Sequence, residues 1–167
     1  MTTPNTSDAE LYGTASADGE PTPGYRPAYA APAANGTVAW AMGFLAYIPI
    51  PFLGSIVTGI VMALVGRAQR GKGEVARLNG RNAANWGLTY LLLTVLLPGV
   101  AFLTLALSTG PDGTVPGDSP AGIVAATSIL IWAFPLQILH LVLVIVGTVK
   151  SAKGTVFRTR FALPLLK

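Results

Sequence analysis

Residues 66–90, GRAQRGKGEVARLNGRNAANWGLTY, decide how the rest of the chain is arranged. The first half of this stretch is basic, and the second half is the polar beginning of an apolar helix. The stretch contains one acid, Glu74, and five basic residues: Arg67, Arg70, Lys72, Arg77 and Arg81. Long uncharged apolar segments lie on both sides, so the stretch predicts a basic loop, 66–82, that fixes the orientation of the neighbouring helices in a membrane.

The composition points to the same class of protein. The chain has 167 residues, of which 51% are hydrophobic and only 11% are charged, whereas ordinary soluble domains have about 25% charged residues. The charges are concentrated in loops and tails. Three uncharged segments predict an all-α membrane protein, a small bundle of three transmembrane helices at about 38–65, 83–107 and 121–149.

The first of these segments has two possible structures, because Pro49 and Pro51 interrupt it. Each proline removes a backbone donor and disfavours helix at the preceding residue. In the simpler alternative, an interfacial helix leads into one spanning helix. In the other, residues 38–65 form a re-entrant hairpin, and the bundle has four short helices.

The two ends of the chain differ in composition from the apolar segments. Residues 1–36 are rich in Pro, Ala and Gly and predict a disordered tail, which leaves 37–167 as the helical membrane domain. The C-terminal tail, 150–167, has five basic residues and no acid.

The distribution of Lys and Arg predicts the orientation. Loop 66–82 and the C-terminal tail have five basic residues each, and the loop between the second and third segments has none. We therefore expect a multi-pass protein of the bacterial plasma membrane, with loop 66–82 and the C-terminus cytoplasmic. The N-terminus lies outside if three helices span, and inside if the first segment is a hairpin. The residues predicted to contact lipid head groups are Arg67, Arg70, Lys72, Arg77, Arg81, Lys150, Lys153, Arg158 and Arg160.

A possible intramembrane polar site is predicted from side chains inside the apolar segments. His140 is the only histidine, and Gln137 lies on the same helical face. A second polar face lies on the preceding helix, where spacings of three and four residues place Asn82, Asn85 and Thr89 on one side. The site has a functional interpretation, a proton or ion pathway or a polar vestibule. The structural interpretation is hydrogen bonding between helices, with the amides satisfying loop backbone.

Small residues predict a packing surface on the first segment. Ser55, Gly59 and Ala63 follow one another at intervals of four. Such a face allows another helix to approach closely.

Several classes of function are disfavoured by what the sequence lacks. The chain has no cysteine, no paired embedded carboxylates and no HExxH, GxSxG or phosphate-loop motif. The basic residues flank apolar segments and are not interleaved with aromatics, which disfavours nucleic-acid binding. We therefore predict no enzyme activity, no cofactor and no metal site.

Two motifs carry a resemblance to a known family. One is the Asn–aromatic pair that opens the second helix, with Ala83, Asn85 and Trp86; the other lies in the stretch from Lys150 to Pro164. Over roughly 38–167 the chain resembles the bacterial family of unknown function number 4870, which is remotely similar to the twenty-kilodalton Tic-type subunit of the chloroplast import channel. The resemblance implies a compact bundle of short helices and no assigned catalytic residues.

Together these observations predict a non-enzymatic integral membrane protein, an accessory or scaffold subunit of a membrane complex. Its expected partners are membrane lipids and either another protein or further copies of the chain. The alternative is a small channel or transport-associated protein with a polar interior around His140.

Overall fold

The computed structural model describes residues 33–50, 52–111 and 113–166, and the regular secondary structure of this part of the chain is all helical. The disordered tail predicted for residues 1–36 lies almost wholly outside the described residues, as does Pro51. The described residues form four continuous helical rods, two of which change helix type along their length. They are α1, Thr37–Ala41, which continues as a 3₁₀ helix over Met42–Tyr47; α2, Leu53–Ala68; α3, Glu74–Ser108; and α4, Pro120–Ile131, which runs through a π-helical segment, Trp132–Leu136, into α5, Gln137–Ala152.

The first apolar segment forms a hairpin in place of one long helix. The 3₁₀ helix ends at Tyr47, Ile48 is extended, and Phe52 takes a positive φ of 62° just before α2. The Asn35 side chain donates to the carbonyl of Ala152 at the end of α5. The Asn79 side chain donates to the carbonyls of Asn35 and Thr155, so the segment before α1 lies beside the start of the C-terminal tail. Residues 33–36 therefore lie at the same end of the domain as the 69–73 turn, as the hairpin alternative predicts.

Helix α3 begins much earlier than the sequence predicts. The helix extends from Glu74 to Ser108, so most of the predicted loop 66–82 is helical and the connection to α2 is only 69–73. Gly73, with φ 98°, precedes the first turn, and Glu74 in that turn suits the positive end of the helix dipole. The prediction placed the start at residue 83 because the preceding polar residues lack apolar periodicity.

The last two helices form one continuous rod with a local irregularity. Ser119 caps α4 by accepting a hydrogen bond from the Gly122 amide at 3.1 Å, and Pro120 occupies the first turn, where its missing N–H costs nothing. The π-helical segment contains Pro135, which explains the local change in backbone pairing. The rod ends at Ala152, beyond the predicted boundary at residue 149.

Glycines bring α2 and α3 into close contact. A Cβ built on Gly59 would lie 2.8 Å from the carbonyl oxygen of Gly87, and one built on Gly66 would collide with the carbonyl oxygen of Gly80. The two pairs are seven residues apart on each helix, so the antiparallel backbones approach at two levels.

The buried core occupies the half of the domain that contains the hairpin. Trp40, Trp86 and Tyr90 are among the largest fully buried side chains, and Trp40 packs on Gly147 of α5. Two helices of the described part, Glu74–Ser108 and Pro120–Ala152, are long and apolar enough to cross a membrane. Their most apolar windows are only 17% and 22% buried, whereas the core helix of a soluble protein would be mostly covered.

Candidate functional site

His140 lies in the interior of the hairpin half and has hydrogen-bond partners on two other helices. Its Nδ1 accepts from the indole Nε1–H of Trp86 at 3.1 Å, and its Nε2 lies 3.0 Å from the carbonyl oxygen of Gly43. The carbonyl can only accept, so the proton of the ring is on Nε2. A neutral imidazole thereby connects α5 with α3 and with the 3₁₀ part of the hairpin.

Aromatic rings enclose this histidine. The Tyr90 ring stacks on the imidazole with centroids 3.9 Å apart and an interplanar angle of 26°, and the Trp86 and Tyr47 centroids lie at 6.0 and 6.2 Å. His140 has no exposed surface. A solute or ion therefore has no access to the ring in this conformation.

Gln137, one turn before His140, joins the same network through Tyr90. The Tyr90 hydroxyl lies 2.9 Å from Gln137 Oε1 and 2.8 Å from Ser55 Oγ. Because a hydroxyl has one proton, Tyr90 donates to the amide oxygen and Ser55 donates to Tyr90. Tyr47 also donates, to the Gln137 backbone carbonyl at 2.8 Å.

A partly open cavity of about 420 Å³ adjoins this network at the turn of the hairpin. Three polar residues, Tyr47, Ser55 and Gln137, contribute to its wall. The rest of the wall comes from the turn and the π-helical segment: Ala46, Ile48, Pro49, Ile50, Phe52, Trp132 and Ala133. Within this wall, Phe52 and Trp132 stack directly on each other with centroids 4.4 Å apart.

The asparagines of α3 bind the backbone of the C-terminal tail. Asn85 makes a reciprocal pair with Leu166, donating from Nδ2 to the carbonyl at 3.2 Å and accepting the amide on Oδ1 at 2.7 Å. Asn82 donates to the Phe157 carbonyl at 2.8 Å. Thr89 accepts the Leu163 amide on Oγ1 at 2.9 Å.

Asn79 extends this polar ladder at the beginning of α3. Its Oδ1 accepts the Phe157 amide at 2.8 Å, and its Nδ2 donates to the carbonyls of Asn35 and Thr155 at 2.9 and 3.0 Å. One buried amide thus joins the segment before α1, helix α3 and the tail. The irregular tail has few backbone partners of its own, so these side chains take the place of a regular ladder.

The predicted polar site is therefore two groups and not one. His140 bonds to Trp86 and Gly43, and Gln137 bonds to Tyr90, on the faces that meet inside the helices. Asn82, Asn85 and Thr89 instead bond to the tail. Sequence reasoning missed Trp86 and Tyr90 as partners, although they recur on α3 at a spacing of four.

The predicted packing face is more extensive in the structure. Gly59 meets α3 as described, Ser55 bonds to Tyr90, and the Ala63 amide lies near Gly87. The glycines at 66, 80 and 87 also belong to this contact, and their spacing of seven was the available sequence signal.

The basic residues gather at the end where the tail lies. Of these, Arg77 forms an ion pair with Glu74 at 2.7 Å on the surface of α3. Lys150 lies 5.5 Å from the centre of the Phe157 ring. Among residues 33–50, 52–111 and 113–166, no group of three or more His, Cys, Asp or Glu is placed to hold a metal ion.

Comparison with protein families corrects the resemblance drawn from the sequence. A family model described as the magnetosome magnetite crystal formation protein family, MamF/MmsF, matches residues 34–166. The assignment to the family of unknown function number 4870, and to the Tic-type subunit, is therefore wrong. The residues that carried this resemblance make internal contacts, since Asn85 binds the tail and Trp86 binds His140.

Curated proteins and solved structures gave no match to the chain. The family match nevertheless extends from the first described residues to the last. It includes the hairpin, both long helices and the tail bound by the asparagine ladder. The chain therefore belongs to the MamF/MmsF magnetosome magnetite crystal formation protein family.

Proposed function

We propose that this chain is a non-enzymatic membrane protein that serves magnetite crystal formation as a structural subunit of a membrane complex. The main support is that the polar groups in the interior are occupied by hydrogen bonds within the protein. His140, Gln137 and the asparagines of α3 bond to neighbouring helices and to the tail. These contacts fix a shape, and they leave the apolar outer faces and the basic end as the surfaces available to partners.

The membrane part of the proposal is supported by the exposure of apolar side chains on the long helices. Phe102, Leu103 and Leu107 of α3 are 63%, 58% and 79% exposed, and Leu130 and Ile138 on the other rod are similarly open. A protein in water would cover such a surface, whereas hydrocarbon is its natural solvent. The family description directs attention to the magnetosome membrane, in place of the plasma membrane that the sequence alone suggested.

In the proposed topology, the two long rods cross the bilayer and the α1–α2 hairpin enters and returns on the basic side. That side is cytoplasmic by the distribution of Lys and Arg. The chain has no cysteine, so single cysteines can be introduced without interference. We expect Ala34→Cys and Gly71→Cys to react from one side of sealed vesicles and Gly117→Cys from the other. Labelling of positions 34 and 71 from opposite sides would contradict the hairpin.

Detergent-free extraction from the membranes of a magnetite-forming cell tests the structural role. We expect a particle in which the chain is joined by a second protein or by further copies of itself. Particle mass and composition provide the measurement, and a monomer surrounded only by lipid would refute the subunit role.

Crystal size tests the magnetite role separately. In a magnetite-forming cell that lacks the chain, we expect the size distribution of the crystals to change. Supplying the wild-type gene should restore the normal distribution. A matched rescue with Gly87→Leu, which disrupts the α2–α3 contact, is expected to fail. Electron microscopy of the crystals is the readout, and crystals that do not respond to loss of the chain would remove this role.

Transport is the second candidate, and the cavity of about 420 Å³ beside Gln137 favours it. Vesicles containing the chain would then show proton or solute flux that falls in Gln137→Leu and in His140→Ala. Flux equal to that of protein-free vesicles would exclude this alternative.

A further inference from the structure

Two cavities lie on either side of Arg81 at the basic end of the domain. The larger is about 630 Å³ and lies between α3 and the tail. Its lining residues are Arg81, Asn82, Asn85, Arg158, Thr159, Arg160, Ala162 and Pro164. The smaller is about 250 Å³, and its walls include the arginines of α2 and of the first turns of α3: Arg67, Arg70, Arg77 and Arg81.

No carboxylate of the described residues is paired with the arginines of the larger cavity. Among the residues that the structure describes, the acids are Glu74 and Asp118, and Glu74 is already paired with Arg77. Asp118 lies in the loop that joins α3 to α4. Arg81, Arg158 and Arg160 therefore line one cavity to which no described acid is paired, and an anion there would offset their like charges.

Hydrogen bonds hold the backbone of the tail on both sides of the larger cavity, so its wall is a fixed part of the structure. On one side, Asn79 and Asn82 hold the backbone of Phe157, immediately before Arg158. On the other, Thr89 holds the amide of Leu163. The short segment that carries Arg158 and Arg160 is fixed at both ends, so its backbone holds these residues at the cavity before a ligand binds.

The donor set selects the chemistry of the ligand. Arginine donates through a planar fork and accepts nothing, which suits the oxygens of a phosphoryl group. Thr159 accepts the Phe161 amide on Oγ1 at 3.2 Å and keeps its own hydroxyl proton available. We propose that the cleft formed by Arg81, Arg158, Thr159 and Arg160 binds a phosphoryl group, contributed either by an anionic phospholipid head group or by free phosphate.

This inference is independent of the magnetite role, because it concerns the cleft alone. The experiment uses the full chain in phosphatidylcholine nanodiscs at physiological ionic strength. In one arm, inorganic phosphate is titrated and the heat of binding is measured. In the other, phosphatidic acid is added to the nanodisc lipid, and native mass spectrometry counts the molecules retained by the chain. We expect saturable binding of one phosphoryl group in at least one arm.

Matched variants distinguish a site from diffuse attraction. Arg81→Gln, Arg158→Gln and Arg160→Gln should each weaken binding by about tenfold or more, since each removes a charge-assisted fork. Lys72→Gln and Lys153→Gln remove the same charge from residues that do not line the larger cavity, and should change the affinity by about twofold or less. Arg81→Lys should recover only part of the loss.

The two arms identify the source of the phosphoryl group. Binding of inorganic phosphate alone assigns a free-phosphate site, and retention of phosphatidic acid alone assigns a head-group site; both results support the cleft. Absence of saturable binding in both arms would overturn the proposal. Equal loss in the arginine and lysine variants would also overturn it, because affinity would then follow net charge and not the cleft.

Discussion

At the basic end, α3 is enclosed by the α1–α2 hairpin, by α5 and by the tail, whereas beyond Ala101 it lies beside α4 with apolar side chains open. The difference follows from the hairpin. Because the chain turns back at residues 48–52, α1 and α2 reach along only part of α3. The enclosed half can use glycines and hydrogen bonds to bring helices together, while the open half has only apolar surface.

The two halves depend on their surroundings in different ways. In the enclosed half, specificity comes from contacts that tolerate no extra atom and from polar pairs that need both partners. In the open half, the side chains require only an apolar environment. Substitutions should therefore have large effects at one end and small effects at the other, and the expected order can be tested.

The largest effect is expected from filling the α2–α3 contact. In Gly87→Leu, the new Cβ would lie 2.6 Å from the Met62 Cβ and 3.0 Å from the Gly59 carbonyl oxygen, so the helices must separate. We expect a loss of about 3 kcal/mol in the free energy of unfolding, measured by tryptophan fluorescence during unfolding in dodecyl sulfate. Gly99→Leu on the same helix meets nothing within 4 Å and is the control. Equal losses in the two variants would contradict the close contact.

A smaller loss is expected from His140→Leu. The substitution keeps an apolar volume but leaves the Trp86 indole N–H and the Gly43 carbonyl without their partner. Each unpaired buried group costs about 1–3 kcal/mol, and hydrogen bonds inside membranes fall toward the low end, so we expect a total of about 2 kcal/mol. Ile138→Ala, two residues away on an exposed position, should change stability much less. A neutral or stabilised His140→Leu would show that the histidine is retained for chemistry and not for structure.

The contrast also explains what sequence could and could not predict. The long uncharged segments predict helices wherever apolar residues dominate, and the two prolines predict a break that the structure realises as a hairpin. Sequence does not predict helix over residues 74–82 because the polar side chains buried there, Asn79 and Asn82, are covered by the tail and not by apolar neighbours. No periodic pattern identifies a tail that is held by amides from another helix.

The interior network was predictable only in part. His140 and Gln137 are conspicuous because polar side chains are rare in apolar segments. Their partners are less visible, since Trp86 and Tyr90 have the composition expected at a membrane interface, and a single sequence gives no distances between helices. The contact between α2 and α3 was predictable from its glycines, which are seven residues apart on each helix. The matching spacing is recognised only when both helices are compared.

A local effect is expected when the tail loses its ladder. Asn85→Leu removes both hydrogen bonds to Leu166, and at about 1 kcal/mol for each bond the tail should open more often without unfolding of the helices. Hydrogen exchange of the Leu166 amide should accelerate by about tenfold or more, a change that mass spectrometry of the C-terminal peptide can follow. Thr104→Val is the control, because its hydroxyl bonds only to carbonyls of its own helix. Unchanged exchange in Asn85→Leu would show that the tail is held by other contacts.

The smallest effect is expected in the open half, from Leu103→Ala. Leu103 is 58% exposed, so in a bilayer the shortened side chain is replaced by lipid and no cavity remains. We expect a change of about 0.5 kcal/mol or less in the unfolding free energy, compared with about 2–5 kcal/mol for a leucine in a packed core. Leu143→Ala, whose side chain is buried in α5, provides the packed reference. A different outcome would be a cost of Leu103→Ala that equals the cost of Leu143→Ala in native membranes but not in nanodiscs. That result would mean that the open half packs against another protein in the native membrane, and that the partner covers the face that contains Leu103.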